Sequence, residues 1–148
     1  MNRLKTYYPQ ILVTLQFGII AIMMLLGSGF FDTFLPMVVF GVGVVLGVWA
    51  LSHNQLGNFH IQPKLKEDST LVTTGIYRYI RHPMYSSVLM MMLSFVIALP
   101  SSVEISLFLA LVVVLWLKAR REEMLWSDHS PEYVEYQKSS RFIIPFLL

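Results

Sequence analysis

The chain has 148 residues, of which 55% are apolar and only 14% are charged. Soluble domains carry about a quarter charged residues, so this deficit, concentrated in long uncharged runs, indicates a membrane protein. A net charge of +2 is too small to argue for a nucleic acid partner, and the lack of Cys excludes disulfides, thiolate catalysis and Cys-ligated metals. The length predicts a single domain, residues 1–148.

The uncharged runs predict an all-α fold with four transmembrane helices. These spans are predicted at residues 11–30, 34–51, 84–99 and 101–124. A break at Gly27-Ser28-Gly29, together with Asp32, marks a short turn at the end of the first span. Ser101 is the predicted N-cap of the fourth span, with Glu104 as its reciprocal capping partner. A short cytoplasmic helix is predicted at residues 131–138, capped by Ser130 and started by Pro131.

All eleven Lys and Arg residues lie before the first span, between the second and third spans, or after the uncharged part of the fourth span, which ends at Leu117. With four spans, these three segments are on one side of the membrane, and the positive-inside rule makes that side cytoplasmic. We therefore expect both termini and the loop 52–83 in the cytoplasm. The other side has only two short turns, so we expect the chemistry on the cytoplasmic side.

A dense group of basic, aromatic and imidazole side chains precedes the third span. Pro83 suits the first turn of a helix, which places His82 at the helix mouth, outside a core and beside free backbone N–H groups. The positive end of the helix dipole also lies there, so the position suits an anionic ligand group such as a carboxylate. The alternative is an interfacial anchor, because Tyr and Arg both favour the headgroup region.

A second group follows the uncharged part of the fourth span: Lys118, Ala119, Arg120, Arg121, Glu122 and Glu123. Taken alone, it is typical of a solvated helix end with an i,i+4 pair between Lys118 and Glu122. Its position predicts that it meets the Arg81-His82 segment on one membrane face. Lys118 is expected at the hydrocarbon boundary, where a snorkelling side chain would meet an arriving lipid headgroup.

Two further patterns concern metals and helix packing. The four histidines, His53, His60, His82 and His129, have no paired spacing and no carboxylate cluster, so we predict no metal site. Gly41, Gly43 and Gly47 in the second span have small-xxx-small spacing. This stripe predicts close helix packing and also suits a homodimer.

Five motifs resemble, in order and in spacing, the C-terminal half of the isoprenylcysteine carboxyl methyltransferase family. They are Leu71-Val72-Thr73-Thr74-Gly75-Ile76-Tyr77, Arg81-His82-Pro83-Met84-Tyr85, Glu122-Glu123, Glu132-Tyr133-Val134-Glu135-Tyr136 and Phe142-Ile143-Ile144-Pro145. The related phospholipid N-methyltransferases share the Arg-x-Pro-x-Tyr and Glu-Glu elements. The resemblance covers about residues 58–146. It implies an S-adenosylmethionine site built from the connecting loop, the start of the third span and the C-terminal segment.

Carried over residue by residue, the resemblance implies cofactor contacts from Gln62, Ser69, Thr70, Leu71, Val72, Tyr77, His82, Pro83, Met84, Tyr85, Glu122 and Glu123. Adjacent helical residues point about 100° apart, so only one of the two glutamates should face the cofactor directly. The register of the resemblance favours Glu122, one turn beyond Lys118. Lys118, Arg121 and Glu122 are the expected catalytic residues. Lys118 stands where the family has an Arg, and it lacks the bidentate fork of that side chain.

The resemblance implies methyl transfer from S-adenosylmethionine to a lipid-like or prenylated small-molecule acceptor. Carboxyl O-methylation is favoured, with amine N-methylation as the other acceptor chemistry, and membrane lipids and an amphiphilic acceptor are the expected partners. Two alternatives remain open: an NADPH-dependent membrane reductase of the sterol reductase type, and a membrane scaffold without enzymatic activity. Cofactor binding distinguishes the methyltransferase, the reductase and the scaffold.

Overall fold

The computed structural model describes residues 3–54 and 70–143, and within these residues the chain is helical with no β-strand. The helices are α1 (Arg3–Leu26), α2 (Phe34–His53), α3 (Pro83–Ala98), α4 (Ser102–His129) and α5 (Pro131–Ser139), and a 3-10 helix at Gly75–Arg78 precedes α3. The predicted all-α fold is confirmed.

Three helices are long and apolar enough to cross a membrane. These segments are Tyr7–Leu26, Phe34–His53 and Ser102–His129. α3 is also apolar, but its 16 residues extend only about 24 Å, against a hydrocarbon core of roughly 30 Å. The chain is therefore built as an integral membrane protein with three helices of spanning length, and a fourth span through α3 stays a prediction.

α1 begins and ends earlier than predicted. It starts at Arg3, continues through Pro9 and ends at Leu26, rather than covering residues 11–30. Its end is set by two glycines. Gly27 lies so close to the ring of Phe95 that no Cβ atom would fit, and Gly29 has a left-handed φ of 76° that turns the chain away from the helix.

α4 continues to His129, five residues beyond the predicted end at residue 124, because Ser130 and Pro131 are the first residues that interrupt it. Its N-terminus is capped as predicted, since the Ser101 hydroxyl accepts a hydrogen bond of 3.1 Å from the Glu104 N–H. The reciprocal bond is wrong: the Glu104 carboxylate is buried and has no hydrogen-bond partner among the described residues. The bounds of α2, α3 and α5 lie within two residues of the predictions.

The helices pack as two pairs, α2 against α3 and α1 against α4, and α3 also contacts α4. Gly43 and Gly47 of α2 lie against Ser87 of α3, whose hydroxyl donates to the Gly43 carbonyl at 2.7 Å. The close packing predicted from the glycine spacing therefore occurs within the chain, between α2 and α3. A homodimer through α2 stays a prediction.

A buried apolar core joins α1, α3 and α4. It consists of Met23, Met92, Phe95, Leu111 and Leu115. Large apolar side chains on the outer faces of α1 and α2 are exposed, such as Leu25 and Val45 at 85% and 66%. Outward apolar faces around a small core are what a bundle surrounded by lipid requires.

The C-terminal segment returns to the start of α3. The Arg81 N–H donates to the Arg141 carbonyl at 2.8 Å, and the His82 N–H donates to the Phe142 carbonyl at 3.1 Å. In the other direction, the Arg141 N–H donates to the Tyr79 carbonyl at 2.9 Å. These bonds hold the segment after α5 beside residues 79–82, close to the C-terminal half of α4.

Candidate functional site

Glu122 and Glu123 of α4 face the start of α3. The Tyr85 hydroxyl donates to Glu122 Oε1 at 2.6 Å, and His82 Nδ1 lies 3.5 Å from Glu122 Oε2. His82 Nε2 lies 3.5 Å from Glu123 Oε1, the same oxygen that accepts a hydrogen bond of 2.5 Å from Arg81 Nε. Two motifs about 40 residues apart in sequence are thus in direct contact.

The two glutamates have different environments. The Glu123 side chain is 6% exposed and is held by Arg81, whose guanidinium also donates to the Gln137 and Ser140 carbonyls. The Glu122 side chain is 23% exposed, accepts a hydrogen bond from the Tyr85 hydroxyl and lies 3.5 Å from His82 Nδ1. Glu122 therefore keeps an accessible carboxylate edge, whereas Glu123 is enclosed. That Glu122 rather than Glu123 meets a cofactor stays a prediction, and this geometry favours it.

His82 is buried, with 8% of its surface exposed, so the expected open position at the helix mouth is wrong. Its ring stacks on Tyr85 at 5.6 Å and meets the Phe142 ring edge-on at 5.2 Å. Burial alone lowers the pKa of His82, but the hydrogen bonds and charges of Glu122 and Glu123 outweigh burial and raise the pKa above its ordinary value of 6.5. The two carboxylates therefore stabilise the imidazolium form of His82 relative to the same ring in water.

This raised pKa predicts that stability depends on pH. A group whose pKa is higher in the folded state stabilises the fold fully below its unfolded pKa of about 6.5, and this contribution is lost as the pH rises through the folded value. We expect the unfolding temperature of the wild type to exceed that of His82→Gln most at about pH 6. The difference should shrink as the pH is raised.

The measurement is thermal unfolding in detergent across this pH range. The matched control is His129→Gln, because His129 is exposed and lacks a carboxylate within 4 Å among the described residues. A difference between wild type and His82→Gln that stays constant with pH would show that folding does not shift the pKa of His82, and a difference that grows with pH would show that folding lowers it.

Lys118 lies inside the bundle, so its expected snorkelling to the membrane surface is wrong. Only 2% of its surface is exposed, and Nζ donates to Gln16 Oε1 of α1 at 2.5 Å. The ammonium also lies 5.2 Å from the centre of the Tyr85 ring, whose hydroxyl bonds to Glu122. Lys118 therefore links α1 to the glutamate cluster, and a direct contact with an acceptor stays a prediction.

Arg121 is directed away from this cluster. Its guanidinium lies 5.5 Å from the centre of the Tyr8 ring of α1, and its buried Nε has no hydrogen-bond partner among the described residues. The structure brings Lys118, His82, Tyr85, Glu122 and Glu123 together, but it does not bring Arg121 to the carboxylates. A catalytic role for Arg121 stays a prediction without support from these contacts.

The remaining predicted cofactor residues are spread along the segment that leads into α3. Gln62 and Ser69 lie outside the described residues. Thr70 is exposed and Leu71 and Val72 are half-buried, ahead of the 3-10 helix. Pro83 is buried at the first turn of α3, and Met84 packs against the cluster of Ala50, Ile76 and Ile80. Met84 therefore has a packing role in this arrangement.

Tyr77 lies between this segment and Glu122. Burial and the nearby charge of Glu122 raise the pKa of Tyr77 to about 12, although a hydrogen bond with the Asn54 side chain acts in the opposite direction. The phenol is therefore neutral at physiological pH. The backbone carbonyl of Tyr77 accepts a hydrogen bond from the Tyr136 hydroxyl of α5, which fixes the position of Tyr77 relative to the C-terminal segment.

Sequence reasoning did not include Gln16, Arg81 or Phe142 among the site residues. The Phe142 ring contacts His82 edge-on, and the guanidinium of Arg81 lies 5.7 Å from the centre of the Phe142 ring. A signal was available for Gln16, because a polar amide in an uncharged span usually pairs with another polar group. Phe142 begins the closing motif of the resemblance, but its contact with His82 could not be predicted, since it depends on the return of the chain after α5.

Comparison with known proteins adds one finding. A family model described as Phospholipid methyltransferase matches residues 31–129. The matched region includes α2, α3, α4 and both motifs of the glutamate cluster, whereas α1 and α5 lie outside it. No curated protein and no solved structure gives a significant match to the chain.

Proposed function

The chain belongs to the phospholipid methyltransferase family, and from this premise we propose that it transfers a methyl group from S-adenosylmethionine to a lipid-like acceptor. The family match confirms the relationship to phospholipid methyltransferases that the motifs predicted. It makes the chain a membrane methyltransferase, in agreement with its three long apolar helices. The cofactor, the acceptor and the isoprenylcysteine-type activity belong to the proposal.

The observation that carries the proposal is the half-open carboxylate of Glu122, held by the Tyr85 hydroxyl at the end of an apolar bundle. S-adenosylmethionine would present an amino group and a sulfonium, and when bound it supplies the methyl group. Glu122 would hold the amino group, while the ring of Tyr77 is suited to face a cation. The Tyr85 ring already contacts His82 and Lys118, so its part in the proposal is the hydroxyl that holds Glu122. His82 faces both glutamates, so its role in the proposal is to orient Glu122.

Methyl transfer is an in-line displacement, and alignment of the two reactants with exclusion of water can supply much of the acceleration. The residues around Glu122 favour an amine as the acceptor. A carboxylate acceptor would need a free cation, but Arg81 is bonded to Glu123 and Lys118 to Gln16. An amine acceptor needs no such cation, and the proton that it loses can pass to solvent, since Glu122 is assigned to the amino group of the cofactor.

The test of the proposal is ligand binding in detergent. S-adenosylhomocysteine should raise the unfolding temperature of the purified protein, because it binds the folded state, and NADPH should not. Stabilisation by NADPH alone would favour the reductase, and stabilisation by neither ligand would favour a scaffold. Once cofactor binding is established, the protein is incubated with methyl-labelled cofactor and with amphiphilic amines or carboxylates. We expect the amines to receive more of the labelled methyl group than the carboxylates.

We further propose that α3 completes a fourth span, which puts both termini and the loop 52–83 in the cytoplasm. With α3 as a span, reporters fused to the two termini should give the same, internal signal. If only α1, α2 and α4 crossed the membrane, the termini would lie on opposite sides. Reporter fusions at each terminus, with a third inserted in the loop, measure this directly, and external signals would contradict the proposed orientation.

A further inference from the structure

A groove of about 490 Å³ lies between the outer face of α4 and α5, away from the Glu122 carboxylate. Its walls include Trp116, Arg120, Met124 and Asp128 from α4 and Gln137 from α5. Trp116, Arg120 and Met124 are spaced four residues apart and are all exposed, so they line one outward stripe of the helix. The groove begins where the uncharged part of α4 ends, at Leu117.

Arg120 is the cationic group of this groove. Its guanidinium lies 5.4 Å from the centre of the Trp116 ring and 5.2 Å from the centre of the Phe142 ring. No carboxylate pairs with Arg120 among the residues that the structure describes. A guanidinium held against two rings keeps its N–H edge available, and that edge matches the oxygens of a phosphate.

The apolar side of α4 that leads to Arg120 is also exposed. Leu109, Val113 and Trp116 are 58%, 55% and 44% exposed and lie along the same outward side of α4. An acyl chain in the bilayer could lie along this stripe and end with its headgroup at Arg120. Trp116 lies at the point where apolar residues give way to charged ones, a position that Trp favours at membrane surfaces.

Two acidic residues of the groove, Glu123 and Asp128, would offset the positive charge of Arg120 if they lay close to it. Glu123 forms part of the wall, but Arg81 and His82 face its carboxylate from the other side. Asp128 is eight residues beyond Arg120, about 12 Å along the helix. Arg120 is therefore the dominant charge where a headgroup phosphate would arrive.

We propose that this groove binds a membrane phospholipid through its phosphate, with Arg120 as the phosphate ligand and the acyl chains along α4. The site differs from the site of methyl transfer, because Glu122 does not line the groove and Glu123, which does, is paired with Arg81. The Phe142 ring contacts Arg120, Arg81 and His82, so the cation that would bind the phosphate also contacts a ring that packs on the glutamate cluster.

The test uses the full chain in a neutral detergent with phosphatidic acid, which has a phosphate and no amine to be methylated. Phosphatidic acid should raise the unfolding temperature of the wild type by about 3 °C or more, and Arg120→Gln should lose at least half of this shift. Diacylglycerol with the same acyl chains and millimolar inorganic phosphate should each produce little shift, because each supplies only part of the ligand.

Arg78→Gln is the matched control, because it removes one exposed cation outside the groove. It should keep the full response to phosphatidic acid, and Arg120→Gln should still bind S-adenosylhomocysteine, which shows that the variant is folded. An equal response of Arg120→Gln and wild type would overturn the proposal, and so would an equal loss in Arg78→Gln. Because the lipid response is measured without cofactor, failure of the proposed methyl transfer leaves this test intact.

Discussion

Glu122→Gln should weaken S-adenosylhomocysteine binding by about tenfold or more, while Glu123→Gln should chiefly destabilise the fold. A charge-assisted hydrogen bond to a ligand contributes roughly 1.5–3 kcal/mol, and Gln lacks the charge that holds the amino group of the cofactor. Glu122 has an accessible edge for this bond, since its side chain is 23% exposed. The Glu122→Gln substitution leaves the enclosed contacts of Glu123 in place.

Glu123 has the opposite role. Its carboxylate is 6% exposed and faces both Arg81 and His82, and Arg81 in turn bonds to the carbonyls of Gln137 and Ser140. Removing one partner of a buried ion pair leaves the other charge uncompensated and costs about 3–5 kcal/mol. We therefore expect Glu123→Gln to lower the unfolding free energy and to loosen the C-terminal segment.

The two variants are compared by titration with S-adenosylhomocysteine and by unfolding in detergent, at one pH and one lipid content. Glu132→Gln serves as the matched control, because Glu132 is exposed on α5 and makes no ion pair among the described residues. If Glu123→Gln weakened binding while Glu122→Gln destabilised the fold, the assignment of the two glutamates would be reversed.

Gln16→Leu should destabilise the protein by about 2 kcal/mol or more and should lower the rate of methyl transfer. Gln16 is 7% exposed and is the hydrogen-bond acceptor of the Lys118 ammonium, which is itself only 2% exposed. A buried charged donor without its acceptor incurs its full desolvation penalty. The rate should fall because Lys118 lies against the Tyr85 ring, and the Tyr85 hydroxyl holds Glu122.

The double variant Gln16→Leu with Lys118→Met removes both polar groups and keeps similar volumes. It should recover most of the lost stability, since no buried donor is left unpaired, but it should not recover the rate. This separation distinguishes a residue that positions the site from one that only packs the bundle. Gln16→Glu, which keeps an acceptor for Lys118, should remain close to wild type in both measurements.

Thr14→Val is the control within α1, because Thr14 is exposed on the outer side of the helix. Unfolding free energy and initial rate are measured for all the variants at saturating cofactor. A Gln16→Leu variant as stable and as active as Thr14→Val would show that the contact between α1 and α4 has no functional role. The result is informative beyond the family match, which begins at residue 31 and does not include α1.

Much of the fold is determined by local sequence. Uncharged runs specify apolar helices because a membrane requires every backbone group to be bonded within the segment. Short signals at helix ends also act locally, so Ser101 caps α4 and Pro131 begins α5 as predicted. The motifs at residues 81–85 and 122–123 were likewise recognisable from the sequence, because residue type and spacing persist when little else is shared.

The tertiary structure decided which partner each polar group has. Sequence placed Lys118 at the lipid boundary and His82 at an open helix mouth, but both are buried, one against Gln16 and the other between two glutamates. Helical spacing alone could not distinguish the accessible Glu122 from the enclosed Glu123. Those differences depend on contacts between residues far apart in the chain, and a buried charge is stable only where packing supplies its partner.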